Sequence, residues 1–189
     1  AISLSHCDLR TRLGLRNALT GADEVFGRID QAVITPQIPD ADTLDSLDED
    51  VFDKTVGRSI RSAVLAMRLV SERMLDQDAL PANGIDRARQ KGAITFVLSS
   101  NASLPNPGRF SESVAQGAIL AATKAAALEL ASEKIRVNAI VAVRPRAETS
   151  DPWLKSRTPL GRAALADEIA DAAIYLSSPA AAIITGATL

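Results

Sequence analysis

The chain has 189 residues, of which 47% are hydrophobic and 23% charged, and its formal net charge is -2. This length favours one domain with a core between a sheet and its helices. The balanced charge argues against nucleic-acid and membrane partners, and no apolar run reaches about 18 residues. One cysteine and one histidine can supply neither a disulfide nor a structural zinc site, so we expect no metal and a reducing, cytoplasmic location.

The first half of the chain predicts a strand, a helix, a strand and a second helix. Residues 1–7 alternate apolar and polar side chains as a strand does, and residues 10–25 have a helical pattern. A short apolar strand lies within residues 28–37. An acidic, turn-rich stretch, residues 39–56, then precedes a helix predicted over residues 57–75.

The second half repeats this alternation. A polar loop over residues 77–92 leads to an apolar strand at 93–100, which has the composition of a strand buried on both faces. Residues 111–134 are predicted as a helix, 135–143 as another buried strand, 144–162 as a loop and 165–178 as a helix. Residues 181–189 are the last predicted strand. The alternation predicts one α/β domain over residues 1–189, with a doubly wound, mostly parallel sheet.

Five blocks in this order carry a resemblance to a known family: "FGRID", "FVLSSNASLPNPGRF", "KAAALELASEKIRVNAI", "TPLGR" and "EIADAAIYLSSPAAAIITGATL". Together they resemble the short-chain dehydrogenase/reductase family, in its 3-oxoacyl carrier-protein reductase branch, from about Cys7 to Leu189. The resemblance implies a Rossmann-like sheet that binds a dinucleotide at the carboxyl ends of its strands. It makes residues 1–7 the third strand, so we expect an N-terminal piece of roughly 50 residues to be missing.

The resemblance also indicates where the reacting groups should be. Family members reduce a carbonyl with a proton-donating tyrosine, a lysine four residues later that lowers the pKa of the tyrosine, and a serine that orients the substrate oxygen. The register of "TKAAALELASEKIRVNAI" places Glu112 at the tyrosine position and Gln116 at the lysine position. Ser100 matches the serine, and Ser59 replaces the asparagine of the preceding helix. We therefore expect no functional catalytic group at these four degenerate positions.

A different register does not supply the missing pair. The single tyrosine, Tyr175, has Pro179 rather than a lysine four residues after it. Glu112 could act as the acid in its place, but the helix dipole stabilises its anion, so a solvated acid in the first helical turn is the favoured interpretation. For Ser99 and Ser100 the structural alternative is capping at the strand end.

The positions that would receive the cofactor differ as well. The family's cofactor-lining stretch reads "ITPQ" from Ile34 to Gln37, and Ala142 and Val143 replace its proline-glycine pair. Asp8 alone matches, at the adenine-contacting position, although it can equally be a helix N-cap. We expect no bound cofactor, or NAD(P) if the chain is active.

Three hypotheses about function remain open. The first is a non-catalytic subunit that pairs with an active paralogue in a hetero-oligomer, for which we expect a heterotetramer. It resembles the inactive subunits of heteromeric dehydrogenases in the family, such as that of benzylsuccinate degradation. In the family, helices matching residues 58–76 and 112–133 form a subunit interface, and here the second is rich in alanine and glycine. The second hypothesis is an active NAD(P)-dependent oxidoreductase with displaced catalytic groups, and the third is a nucleotide or acyl-CoA binding regulator.

Overall fold

A computed structural model describes residues 2–80, 90–143 and 158–189. Its sheet has three parallel strands in the order β1-β2-β3, namely β1 (Gln31–Ile34), β2 (Gly92–Ser99) and β3 (Ile135–Ala142). The predicted buried strands are therefore confirmed as β2 and β3. The predicted last strand is reduced to one parallel bridge, between Ala139 and Thr188.

Among the described residues, four helices cover the two faces of this sheet, as the doubly wound prediction requires. On one face of β2, Ile94, Phe96 and Leu98 belong to the main core that includes residues of α2 and α3. Val97 points to the opposite face, where it packs in the cluster of Ala173 and Leu176 from α4. The helices are α1 (Arg12–Phe26), α2 (Glu49–Leu75), α3 (Phe110–Leu130) and α4 (Ala166–Ser177).

Helix α2 is longer than the sequence pattern predicted. It begins at Glu49, within the stretch that we predicted as acidic turns, because the Asp48 side chain accepts a hydrogen bond from Val51 N. Glu49 and Asp50 occupy its first turn, where carboxylates interact favourably with the helix dipole. The acidic composition that suggested a loop is thus the N-terminal signal of the helix.

The prediction of a strand at residues 1–7 is wrong for the described residues 2–7, which form no strand. A strand requires a hydrogen-bonded neighbour, and these residues have none in the described parts of the chain. Ile2 and Leu4 are 94% and 96% exposed. Apolar and polar side chains therefore alternate in this segment although it is not paired with another strand among the described residues.

The C-terminal segment is held beside β3 by two buried polar side chains. Arg136 donates to the carbonyl oxygens of Leu176 (2.6 Å), Ser178 (3.1 Å) and Ile184 (3.2 Å). Asn138 donates to Ile184 O and accepts from Ala187 N. Burial lowers the pKa of the Arg136 guanidinium. These bonds attach residues 178–187 to the sheet although no regular strand forms.

Within residues 2–80, 90–143 and 158–189, no helix has the length and apolar character that a membrane crossing requires. Most of the loops predicted at 77–92 and 144–162 lie outside the described residues.

Candidate active site

The candidate site lies at the carboxyl end of β2, where Ser99 joins the strand to α3. The hydroxyl of Ser99 donates a 2.6 Å hydrogen bond to Glu112 Oε1, and its backbone N–H donates to Gln116 Oε1 at 3.2 Å. The same hydroxyl accepts from Asn101 N, which caps the short turn that follows the strand. The structure thus brings together the two positions that the family register assigns to tyrosine and lysine.

The burial of Glu112 corrects the interpretation of a solvated first-turn acid. The residue is only 4% exposed, because the first turn of α3 packs against the end of β2 instead of facing water. Arg109 lies 3.7 Å from its second carboxylate oxygen. The spacing of three residues from Arg109 to Glu112 is a helical ion-pair signal that the sequence contained and that we did not use.

The sequence matched Ser100 to the family's serine, whereas the serine that contacts Glu112 in the structure is Ser99. Ser100 begins the short 3-10 turn Ser100–Ala102, and its carbonyl oxygen accepts from Ser103 N and Leu104 N. The capping role predicted at this strand end is therefore correct for Ser99. The one-residue difference places the Ser99 hydroxyl, rather than that of Ser100, on the carboxylate at the tyrosine position.

A distant loop closes the N-terminus of α3 beside this cluster. Arg109, at the N-cap position, makes no capping hydrogen bond with its side chain. Instead the Asp42 carboxylate accepts from Ser111 N at 2.9 Å and from the Ser111 hydroxyl, and Asp42 O accepts from Phe110 N. Sequence reasoning missed Asp42 because its partner is 69 residues away.

The other degenerate positions are also engaged within the fold. Ser59 is 1% exposed, and its hydroxyl donates to Gln37 O at 2.6 Å, which ties α2 to the cofactor-lining stretch. Gln116 is fully buried, and its Nε2 has no hydrogen-bond partner among the described residues. Both side chains are neutral, so neither replaces the positive charge of a lysine.

Asp8 is placed on the surface before α1. The sequence allowed it to be the N-cap, but the N-cap of α1 is Thr11, whose side chain accepts from Gly14 N. Asp8 instead pairs with Arg10 at 2.8 Å. Hydrogen bonds from the Arg10 side chain and backbone lower its pKa, and the charge of Arg58 adds to this effect.

The single tyrosine of the chain lies apart from the cluster. Tyr175 is 44% exposed on α4, which covers the sheet face opposite α3. In the parts of the chain that the structure describes, no three or more histidine, cysteine, aspartate or glutamate side chains are grouped as metal ligands.

The polar groups of the candidate site form hydrogen bonds with one another. The carboxylate, the amide and the serine are held by short contacts inside the β2–α3 junction, and Gln116 Nε2 is the one buried donor of the cluster left over. A proton donor must reach the substrate oxygen within hydrogen-bond distance. The cluster as folded directs the Glu112 carboxylate to Ser99 and Arg109.

The fold and the position of the site define an α/β protein with a doubly wound parallel sheet and a polar cluster at the carboxyl ends of its strands. A family model described as "Enoyl-(Acyl carrier protein) reductase" matches residues 1–189. The chain belongs to the short-chain dehydrogenase/reductase family.

Individual relatives agree with this assignment. The chain is 32% identical to the Neurospora crassa protein "Short-chain dehydrogenase srdC" over 96% of this chain and 72% of that protein. It is 38% identical to "Galactitol 2-dehydrogenase (L-tagatose-forming)" of Cereibacter sphaeroides over 54% of this chain and 44% of that protein. A crystal structure of 3-ketoacyl-(acyl-carrier-protein) reductase from Brucella melitensis complexed with NADH superposes with a TM-score of 0.80 at 29% identity, covering 97% of this chain and 74% of that one.

Proposed function

We propose that this chain is a non-catalytic subunit of the family that pairs with an active short-chain dehydrogenase acting on hydroxyacyl or 3-oxoacyl thioesters. The observation that supports the proposal is the Ser99–Glu112–Gln116 cluster. The family register assigns Glu112 and Gln116 to the positions of the tyrosine and lysine, yet both bond to Ser99 and hold the junction of β2 and α3 together. A subunit whose polar groups hold its own fold can contribute packing surface while its partner supplies the chemistry.

The outward face of α3 supports pairing. Val114, Ala121 and Leu128 recur every seven residues, and Leu128 is 84% exposed. Ala122, in contrast, packs against the chain's own core, so it does not belong to this face. We call the exposed apolar positions of α3 the pairing surface; they are Phe110, Val114, Ala121, Ala125 and Leu128.

Exposed apolar side chains in a row along one helix favour burial against a partner. The proposed partner is an active paralogue, because a pair of two identical subunits would lack the tyrosine and lysine twice. A heterotetramer of two such pairs is the proposed assembly. The proposal locates it in the cytoplasm, since the chain has one cysteine and no disulfide.

Weak or absent binding of nicotinamide cofactor is part of the same proposal. Ser59 is bonded to Gln37 O, and Pro36 and Gln37 stand where the family has small residues that let the cofactor approach the backbone. The similar Brucella protein was crystallised with NADH. Cofactor binding by the present chain therefore needs to be measured directly. Titration calorimetry with NADH and NADPH should give no saturable binding.

An active oxidoreductase is the second candidate, and one observation favours it. Glu112 is buried at the proton-donor position and lies beside an arginine, and buried carboxyl groups do act as general acids in enzymes. The relatives named as dehydrogenases are consistent with this candidate. Nothing in the described residues favours the third hypothesis, a free-standing regulator.

The experiment that distinguishes the two candidates compares the chain alone with the chain co-expressed with a paralogue that has the intact tyrosine and lysine. The chain alone should not oxidise NADH or NADPH with 3-oxoacyl thioesters. The co-expressed proteins should elute together and give the mass of a hetero-oligomer. Turnover by the chain alone that disappears in Glu112→Gln would establish the second candidate. A paralogue that is fully active alone and never co-elutes would exclude the pairing.

A further inference from the structure

Three exposed cations recur at a spacing of seven residues along α2, namely Lys54, Arg61 and Arg68. Seven residues are close to two helical turns, so these side chains lie above one another on one side of the helix, about 10 Å apart. Every charged residue of α2 from Lys54 to Arg68 is a cation. We call Lys54, Arg61 and Arg68 the cationic stripe.

The cationic stripe lies beside the pairing surface. Helices α2 and α3 pack on the same face of the sheet, since buried residues of both belong to the main core. The rings of Phe52 and Phe110 lie 6.3 Å apart, so the two helices begin at the same end. On α3, Val114, Ala121 and Leu128 have the same spacing of seven residues. A basic stripe and an apolar stripe therefore run along neighbouring helices.

The charge of the cationic stripe is only partly balanced within the chain. Arg68 pairs with Glu72 at 2.7 Å. Lys54 and Arg61 form no ion pair with any residue that the structure describes. Arg61 donates instead to the carbonyl oxygen of Arg10 at 3.1 Å, which leaves its positive charge without a counterion.

The rest of the two helices does not compensate for this charge. The exposed charged residues of α3 are Lys124 and Glu129, which have opposite signs. The acids at the start of α2 lie within residues 49–53, so they adjoin only Lys54 at one end of the stripe. The surface formed by α2 and α3 thus keeps an excess of positive charge beside its apolar stripe.

This excess disfavours a pair of identical subunits. In a two-fold symmetric dimer both subunits use the same surface, so a surface with excess positive charge meets an equal excess. Like charges across an interface oppose association, whereas carboxylates at the facing positions favour it and so determine which chain is bound. Paired helices with an apolar seam use charged residues at its margin in this way.

We infer that the cationic stripe determines the partner of the pairing surface, which is a related chain with carboxylates at the positions that face the stripe. The apolar residues of α3 supply the area that is buried, and the stripe discriminates against a second copy of the same chain. The inference rests on the pairing proposed above and adds the feature that distinguishes one partner from another.

A charge-reversed copy of the same chain is the probe that tests this inference. Lys54→Glu combined with Arg61→Glu gives an acidic stripe on an otherwise identical surface. Glutamate is favourable in helices, so this variant should keep its fold, which circular dichroism can verify. In sedimentation velocity at low ionic strength, the wild type and the variant alone should be mainly monomeric, and their equimolar mixture should associate about tenfold more tightly than either alone.

Arg12→Glu combined with Arg16→Glu is the matched control, because it reverses two exposed charges on α1, outside both stripes. Mixed with the wild type, it should change the association constant less than about twofold.

Neutralising the stripe provides a second measurement that needs no mixture. Lys54→Gln combined with Arg61→Gln should self-associate severalfold more tightly than the wild type, because it removes the repulsion between two copies.

Three results would overturn the inference: wild-type self-association as tight as that of the mixture, a mixture that stays monomeric, or an equal gain for the control. Co-expression with the paralogue tests the proposed function separately. A hetero-oligomer with the paralogue but no gain in the charge-reversed mixture would overturn this inference alone. A gain in the mixture without any complex with the paralogue would overturn the proposed function alone.

Discussion

The hydroxyl of Ser99 donates a 2.6 Å hydrogen bond to the buried carboxylate of Glu112. This contact connects the last residue of β2 to the first turn of α3, at the position where the family register requires a tyrosine. Because a buried carboxylate without partners is costly, we expect this pair to contribute to the stability of the fold.

Ser99→Ala should lower the free energy of unfolding by about 1–3 kcal/mol, since it removes a hydrogen bond to a buried charged-type group. Ser100→Ala is the matched control, because it deletes the neighbouring hydroxyl, which does not contact Glu112, and it should cost less than about 0.5 kcal/mol. Urea denaturation of the two variants checks the expectation. Equal losses would show that the Ser99–Glu112 bond has no special role.

Restoring the family's reactive groups should not restore activity. In Glu112→Tyr combined with Gln116→Lys, the larger ring enters a site that is 4% exposed and the lysine enters one that is fully buried, so the junction should be overpacked. The residues from Ile34 to Gln37 would still differ from the family's cofactor lining. NADH oxidation with a 3-oxoacyl thioester measures the outcome, and turnover close to that of an active relative would contradict it.

Leu128→Glu should abolish pairing without unfolding the chain. The side chain is 84% exposed, so the change leaves the monomer's core intact but puts a carboxylate into the pairing surface. Loss of association by several kcal/mol is the expected order for an unpaired charge at an interface. Leu44→Glu, at a 65% exposed leucine outside α3, is the control. Size-exclusion chromatography of the co-expressed proteins should show loss of the complex for Leu128→Glu alone.

Gly92→Ala should destabilise the fold because of Met74. A Cβ atom at Gly92 would lie 2.2 Å from Met74 Sδ, and Met74 is fully buried. The methionine must move within a packed core, at a cost of about 1–3 kcal/mol. Met74→Leu in the same background should recover part of the loss, because leucine does not extend as far. Thermal unfolding of the single and double variants provides the test.

Glu168 should contribute to the free energy of unfolding near neutral pH but not in strong acid. A bidentate ion pair with Arg162 and a hydrogen bond from Leu165 N lower the pKa of this carboxyl from 4.5 to about 2. A lowered folded-state pKa stabilises the fold above pH 4.5, and the contribution is lost as the pH falls towards 2. The stability difference between the wild type and Glu168→Gln should therefore be constant near neutral pH and vanish as the pH falls below about 2.

Sequence patterns predicted the parts of this fold that depend on local periodicity and burial. The apolar runs that became β2 and β3 were recognised because a strand covered on both faces has few polar residues. The register that assigned Glu112 and Gln116 to the tyrosine and lysine positions stays a prediction, although both side chains do lie at the end of β2. The start of α2 was missed because an N-cap aspartate and first-turn acids have the composition of a loop.

Contacts between residues far apart in the chain could not be predicted from local sequence patterns. The Asp42–Ser111 cap joins residues 69 positions apart, and no local pattern indicates it. The burial of Glu112 likewise depends on how the first turn of α3 meets the end of β2. The choice between Ser99 and Ser100 depends on the direction of one hydroxyl at the point where the strand becomes a turn.

The bonds that Arg136 makes to the carbonyl oxygens after α4 have a consequence for the order of folding during synthesis. The first of these acceptors, Leu176 O, is 40 residues further along the chain. Synthesis proceeds from the N-terminus at about 5–20 residues per second. For some seconds, therefore, the nascent chain contains β3 with the guanidinium of Arg136 and the amide of Asn138 unpaired. We expect β3 to remain solvated on the ribosome until residues 176–187 are available, and a chaperone that shields unpaired strands would find it there.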